Sequence, residues 1–135
     1  MIRSLDDRTL VSGQVAPDEI AGLVGKGVTM LVNNRPDGEE PEQPLACEIE
    51  AAAQAAGIIY RFIPVQRGIG PAEIEPMREA IETAGEGKLL AFCRTGTRSA
   101  LTWALARREQ GASAEEVALW LSEAGFDPSP IAHLL

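Results

Sequence analysis

Short apolar runs recur along the chain, each bounded by glycine or polar residues. Runs of this length and composition are typical of buried β-strands. We predict strands at residues 10–12, 28–32, 58–65 and 88–92. The segments between them carry helix signals, namely proline in the first turn, alanine-rich stretches and a capping box that begins at Ser113. These signals predict helices over residues 17–25, 45–56, 71–84, 99–110, 113–124 and 128–135.

The order of these elements indicates the fold class. Because strands and helices alternate, we expect an α/β domain with a mostly parallel central sheet and flanking helices. The 135 residues contain no internal repeat or linker and fit a single domain over residues 1–135. In parallel sheets, ligands bind beyond the carboxyl ends of the strands. We therefore expect three loops at one edge of the sheet, at residues 33–41, 66–70 and 93–98.

Charge and composition narrow the possible partners. The formal net charge of −8 argues against nucleic acid and anionic membranes, because either would need a basic face. A small anionic substrate must therefore meet a positive site that is local. No apolar signal segment opens the chain, and no window reaches the ~18 apolar residues of a membrane span. No His, Cys and carboxylate cluster has metal-ligand spacing. We expect a soluble, cytoplasmic protein without metal or cofactor, of undetermined oligomeric state.

The candidate chemistry lies in residues 89–99, where a buried strand leads through Cys93 into a polar loop and then a helix. The first amides of a helix lack intrahelical partners and attract anions. A thiol at a helix N-terminus or beside arginine titrates at roughly pH 3.5–7.5, against ~8.5 for free cysteine. Cys93 is therefore the candidate nucleophile, with a buried structural cysteine as the alternative. Arg98 is the candidate residue that grips the anion.

Other chemically active residues have simpler interpretations. Cys47 lies among apolar residues of a predicted helix, which favours packing over a role as a resolving thiol. His133 has no partner motif and is expected to be structural or solvated. For Arg94, a solvated side chain is favoured, with the backbone amide as its useful part. Arg35 either binds a second anionic group or pairs with Asp37.

Four sequence blocks resemble a known family over nearly the whole chain. They are residues 11–14 (VSGQ), 33–39 (NNRPDGE), 62–65 (FIPV) and 93–99 (CRTGTRS). Together they resemble the phosphatase-like domain known as DUF442, or beta-lactamase hydrolase-like phosphatase domain. The resemblance implies the fold of dual-specificity and tyrosine phosphatases.

The resemblance also implies residue roles. Cys93 looks like the nucleophile, Arg98 like the phosphate-binding arginine, and the Ser99 hydroxyl like a hydrogen-bond donor to the Cys93 sulfur. The anion cradle implied by the resemblance consists of the backbone amides of Arg94, Thr95, Gly96, Thr97, Arg98 and Ser99.

The chain departs from the ordinary tyrosine-phosphatase pattern at three points. Phe92 replaces the histidine that precedes the cysteine, and four residues instead of five separate Cys93 from Arg98. A four-residue spacing is similar to the active loop of rhodanese sulfurtransferases. Gln66 and Arg67 occupy the loop that carries an aspartate in dual-specificity phosphatases.

That aspartate donates a proton to the leaving group, a role worth roughly 10²–10⁴-fold in rate. The residues that could replace it here are Asp37, Glu39 and Glu40, in the loop at the same sheet edge.

Three functions follow, in this order of preference. The first is a cysteine-dependent phosphatase-like hydrolase that uses a thiolate and an anion-binding loop. The second is a rhodanese-type sulfurtransferase that forms a persulfide on Cys93 from thiosulfate or another persulfide. The third is a non-catalytic module that binds an anionic partner through the same loop. Family resemblance favours the first, whereas loop length alone favours the second.

Overall fold

The computed structural model describes residues 2–135 and contains one five-stranded sheet. The strand order is β1-β2-β5-β3-β4, in which β1 runs antiparallel to β2 and the other pairings are parallel. The strands are β1 Ile2–Ser4, β2 Thr9–Ser12, β3 Val28–Asn33, β4 Ile59–Phe62 and β5 Lys88–Phe92. The α-helices are α1 Ala46–Ala55, α2 Pro71–Ala84, α3 Thr97–Glu109 and α4 Ala114–Glu123. The predicted α/β class with a mostly parallel sheet is confirmed.

Both faces of the sheet are covered by apolar layers. Along β5, Leu89 and Ala91 pack into the layer formed with α2, α3 and α4, while Leu90 and Phe92 pack into the layer formed with α1. This alternation follows from the two-residue period of a strand. A strand buried on both faces reads as a continuous apolar run, as β5 does. None of the helices formed by residues 2–135 has the length and apolarity needed to cross a membrane.

Two predicted helices differ from the structure, one predicted strand is shorter, and one strand was not predicted. Strand β4 covers Ile59–Phe62 instead of the predicted residues 58–65. Residues 17–25 do not form one helix; they form two 3-10 segments, Pro17–Glu19 and Ala21–Lys26. The glycines in this segment disfavour a continuous α-helix. The last segment, predicted as a helix over residues 128–135, is a 3-10 helix over Ser129–Leu134. Strand β1 was not predicted, since its three residues are all exposed and carry no apolar pattern.

The three parallel strands β3, β4 and β5 end at the same level of the sheet. Asn33 pairs with Phe62 on one side and with Phe92 on the other. Beyond this row, the Asn34 N–H donates to the Phe92 carbonyl at 2.8 Å, and the Val65 N–H donates to the Asn34 carbonyl at 3.0 Å. The loops that follow these strands therefore leave from one edge, as the sequence predicts, and are tied together at their first residues.

Candidate active site

Cys93 lies directly after β5, at the edge from which the three loops leave. Its side chain is fully buried, so the sulfur forms the floor of the site. The Gly96 N–H donates a hydrogen bond to Cys93 Sγ at 3.1 Å. A donor in this position stabilises negative charge on the sulfur. The Cys93 N–H itself donates to the Ser12 carbonyl at 3.4 Å, which ties the nucleophile candidate to β2.

Two glycines allow the loop after Cys93 to fold closely against the neighbouring chain. Gly96 has φ of +94° and forms the N-cap of α3, a left-handed conformation that favours glycine. A Cβ at Gly96 would lie 3.4 Å from the Ser12 carbonyl oxygen. A Cβ at Gly13 would lie 3.0 Å from the Arg94 carbonyl oxygen. Gly13 thus permits the turn after β2 to pack on the loop, a role that the sequence did not reveal.

Arg98, the second residue of α3, joins all three loops. Its Nη1 donates to Glu39 Oε2 at 2.7 Å and to the Val65 carbonyl at 2.8 Å. Its Nη2 donates to Glu39 Oε1 at 2.8 Å, which completes a bidentate ion pair. The hydrogen bond to Glu39 raises the pKa of Arg98, partial burial opposes the rise, and the neighbouring Cys93 adds to it. The guanidinium therefore stays charged beside the sulfur.

Glu39 is the acid that faces this arginine. The hydrogen bond from Arg98 lowers the pKa of Glu39 to about 2; burial opposes this, and the hydrogen bond from Arg35 adds to it. A carboxyl group with this pKa carries no proton near neutral pH. Glu39 is therefore a charge partner in this conformation and has no proton to donate to a leaving group.

Arg35 connects the two acids of its loop to the loop after Cys93. The residue is 3% exposed. Its Nε donates to Glu39 Oε1 at 3.0 Å, its Nη1 to Gln14 Oε1 at 2.9 Å and its Nη2 to Glu40 Oε1 at 2.5 Å. Glu40 in turn lies 3.3 Å from Arg94 Nε. Two carboxylates therefore link the buried Arg35 to the two arginines of the cysteine loop.

Asp37 occupies a different place from the one expected. Arg35 pairs with Glu39 and Glu40 instead of Asp37, because the loop turns their carboxylates towards the guanidinium. Asp37 Oδ1 accepts a hydrogen bond from the Ala46 N–H at 2.8 Å, at the first residue of α1. There it satisfies a helix N-terminal amide, which is a structural role.

Ser99 makes no hydrogen bond to the Cys93 sulfur. Its hydroxyl is buried and has no hydrogen-bond partner among residues 2–135. The Gly96 amide makes the contact with sulfur that was expected of this hydroxyl. In the same loop, the exposed Thr95 and Thr97 hydroxyls lie 3.2 Å apart.

The two remaining candidates lie on the surface. Cys47 is exposed, so the packing role predicted for it is wrong. Helix α1 buries Ala46, Ile49 and Ala53, and Cys47 falls outside that stripe. His133 is exposed in the last 3-10 segment, in agreement with the solvated interpretation.

Three features of the site together define a class of protein. They are a buried cysteine after a central parallel strand, a short loop whose amide faces the sulfur, and an arginine in the first turn of the next helix. This is the cysteine-type, phosphatase-like class with the tyrosine-phosphatase fold. A model of the family "Beta-lactamase hydrolase-like protein, phosphatase-like domain" matches residues 1–110. The chain belongs to this family.

Two relatives carry the same family name. The beta-lactamase hydrolase-like protein of Xylella fastidiosa strain Temecula1 is 38% identical over 128 residues, which cover 93% of this chain. The protein of that name from Agrobacterium fabrum is 35% identical over 108 residues, or 79% of this chain. The chain spans 30% and 25% of the length of these relatives, respectively.

Solved structures agree on the fold. A Neisseria meningitidis protein described as a candidate phosphatase superposes with a TM-score of 0.79 at 29% identity, covering 98% of this chain and 94% of that one. A DUF442 protein from Shewanella putrefaciens superposes with a TM-score of 0.75 at 18% identity, covering 98% and 86% of the two chains. At that identity, the second likeness concerns the fold alone.

Proposed function

We propose that this protein is a cysteine-dependent phosphatase-like enzyme in which the Cys93 thiolate attacks a small phosphate ester. One observation carries the proposal: the Gly96 N–H donates to the Cys93 sulfur at the carboxyl end of a central strand, and Arg98 lies in the first turn of the helix that follows. Such donors stabilise charge that develops on a transferring group, and they need no reorganisation at the moment of reaction.

The reaction has two steps. The Cys93 sulfur attacks phosphorus in line, an S–P bond forms, and the P–O bond to the leaving group breaks with its electron pair on oxygen. Water then attacks the phosphocysteine, releasing inorganic phosphate and restoring the thiolate. Arg98 and the amides of residues 94–99 bind the equatorial oxygens in both steps.

The acids around the site restrict the substrate. Glu39 is ionised, Glu40 pairs with Arg35 and Arg94, and Asp37 caps α1. Gln66 and Arg67 occupy the loop that resembles the aspartate-bearing loop of dual-specificity phosphatases. The substrates we propose are therefore aryl or acyl phosphates, whose leaving groups depart without a proton.

A second reaction at the same sulfur is favoured by the four-residue spacing between Cys93 and Arg98. A loop this short makes a small ring of amides, which suits a sulfane sulfur better than a tetrahedral phosphate. The Cys93 thiolate would attack the outer sulfur of thiosulfate, forming an S–S bond and releasing sulfite. Cyanide or a thiol then removes the outer sulfur and restores the thiolate. This transfer requires no protonated alkoxide.

One parallel assay tests both reactions. Reduced wild-type protein, Cys93→Ser and Cys47→Ser are each given an aryl phosphate, or thiosulfate followed by cyanide. The Cys47→Ser control removes only the exposed thiol. We expect phosphate release that depends on Cys93 and survives loss of Cys47.

The product distinguishes the candidates. Thiocyanate formation, with one extra sulfur atom on the Cys93 peptide by mass spectrometry, would assign sulfur transfer instead of hydrolysis. If both the wild type and Cys93→Ser bind the anion but neither product forms, both reactions are contradicted. The remaining hypothesis is then the non-catalytic module that binds an anionic partner.

A further inference from the structure

A cavity of about 480 Å³ lies beside Arg98, between the loop after β4, the first turns of α3 and the last 3-10 segment. Its volume falls within the range of roughly 300–1,000 Å³ that is typical of small-molecule sites. Val65 and Arg98 both line it, and these two residues are also joined by the hydrogen bond from Arg98 Nη1 to the Val65 carbonyl. The cavity therefore adjoins the arginine that we assign to the substrate anion.

The lining combines apolar walls with positive charge. The apolar wall consists of Val65, Ile69, Leu101, Pro130, Ile131 and Leu134. Polar side chains come from Gln66, Arg67, Arg98 and His133, the only histidine of the chain. No aspartate or glutamate lines this cavity, although the protein has 20 of them and a net charge of −8. This composition suits an organic anion with an apolar body.

One wall of the cavity, formed by the last 3-10 segment, lies beyond the residues that the family model matches. Pro130, Ile131, His133 and Leu134 supply one side of the cavity, and all lie beyond residues 1–110, the part that the family model matches. Ile131 is buried and packs into the core with α3, which fixes this wall in place. The part of the site that contacts the sulfur lies within the residues that the family model matches, whereas this wall lies beyond them.

We propose that this cavity binds the apolar body of the substrate, an aromatic or acyl group attached to the anion that Arg98 holds. The inference rests on the proposed function, because it assigns Arg98 to the substrate, and it names the substrate class as organic anions in preference to inorganic ones. Burial of one aromatic ring against these walls favours the organic anion through the hydrophobic effect.

Binding to Cys93→Ser tests the cavity separately from catalysis. Calorimetry compares 2-naphthyl phosphate with inorganic phosphate, first on Cys93→Ser and then on the same protein with Leu134→Trp, which fills the cavity rim. The matched control is Leu119→Trp; Leu119 on α4 is 58% exposed and Leu134 is 50% exposed. We expect naphthyl phosphate to bind at least about tenfold more tightly than inorganic phosphate. We expect Leu134→Trp to remove most of that difference in affinity and Leu119→Trp to leave it unchanged.

Equal affinities for the two anions, or an unchanged affinity for naphthyl phosphate in Leu134→Trp, would overturn the inference. The two proposals fail separately. If Cys93→Ser prefers the naphthyl anion but the wild type turns over neither phosphate esters nor thiosulfate, the cavity stands and the proposed function falls. If the wild type hydrolyses aryl phosphates without any preference for the ring in binding, only the cavity assignment falls.

Discussion

Arg98 and Glu39 form a bidentate ion pair, with Nη–Oε distances of 2.7 and 2.8 Å, between the first turn of α3 and the loop after β3. The two residues are separated by 59 positions in the chain. A planar guanidinium held by both oxygens of a carboxylate is fixed in orientation as well as in position. Glu39 thus orients the arginine that lies beside the Cys93 sulfur, and Arg35 orients Glu39.

The first prediction concerns acid stability. The pKa of Glu39 is lowered from 4.5 to about 2 by its arginine partners, so the folded state holds the ionised form more strongly than the unfolded chain does. Its stabilising contribution is complete above pH 4.5 and is lost as the pH falls towards 2. In urea unfolding, Glu39→Gln should be less stable near neutral pH by roughly 1 kcal/mol, since the pair is partly exposed. Below the lower pKa the difference should vanish.

The matched control for this measurement is Glu42→Gln, in the same loop and exposed to solvent. Its unfolding free energy should follow the wild-type curve. Parallel pH curves for wild type and Glu39→Gln would show that the ion pair contributes nothing to stability.

The second prediction concerns Arg35. Arg35→Met leaves Glu39 and Glu40 without their buried partner, so we expect a loss of roughly 3 kcal/mol in unfolding free energy. Arg78→Met breaks two ion pairs on the surface of α2 and should cost under about 1 kcal/mol. Arg35→Lys keeps the charge but cannot hold three partners in one plane.

A kinetic measurement distinguishes a positioning role of Arg35 from a purely structural one. We expect Arg35→Lys to remain folded and to lower kcat/KM by about tenfold, because it loosens the arginines of the cysteine loop. Wild-type kinetics in a folded Arg35→Lys protein would confine Arg35 to a structural role.

The third prediction separates backbone strain from catalysis. Gly96 and Gly111 both have positive φ, +94° and +105° respectively. Alanine at either position should therefore cost roughly 1–2 kcal/mol of stability. Only Gly96→Ala should also lower turnover, by about tenfold or more, because it displaces the N–H that faces the sulfur. Equal turnover in the two variants, measured on folded protein, would remove the Gly96 amide from the mechanism.

The fourth prediction adds the missing acid. Gln66→Asp places a carboxyl group in the loop after β4, near the cavity that Arg98 lines. We expect hydrolysis of an alkyl phosphate to increase by about tenfold, below the roughly 10²–10⁴-fold of an evolved donor. The rate should also fall as the new carboxyl group loses its proton with rising pH. Gln66→Asn is the control. An equal increase in the rate of alkyl phosphate hydrolysis in both variants, or no increase in either, would contradict the interpretation that this loop lacks a proton donor.

The sequence predicted the elements that are determined locally. Helix α2 and strand β5 have the predicted bounds, because proline, capping residues and a continuous apolar run specify them. The loops also meet at the predicted edge, since parallel strands must end together. The ion pairs were not predictable in this way. Whether Arg35 forms an ion pair with Asp37 or with Glu39 depends on how one loop turns above a neighbouring strand. The pattern of apolar and polar residues contains no information about that turn.

Whether Cys93 is exposed or buried could not be decided from the sequence for a similar reason, and the alternative of a buried cysteine stayed open. Strand order and spacing place the residue at the sheet edge, but its complete burial depends on how the rest of the chain packs around it. The absence of a hydrogen bond from Ser99 to the sulfur has the same origin: the hydroxyl and the sulfur are both buried, and the Gly96 N–H donates to the sulfur instead. These are outcomes of tertiary packing.

The most direct test compares the two cysteines of the chain within one molecule. Wild-type protein is treated with iodoacetate at about pH 6, where an ordinary thiol is almost fully protonated, and mass spectrometry follows each cysteine-containing peptide. Cys47 is exposed and Cys93 is buried, so accessibility alone favours Cys47. We predict faster carboxymethylation of Cys93, and protection of Cys93 by phosphate. Modification of Cys47 with Cys93 left intact would contradict it.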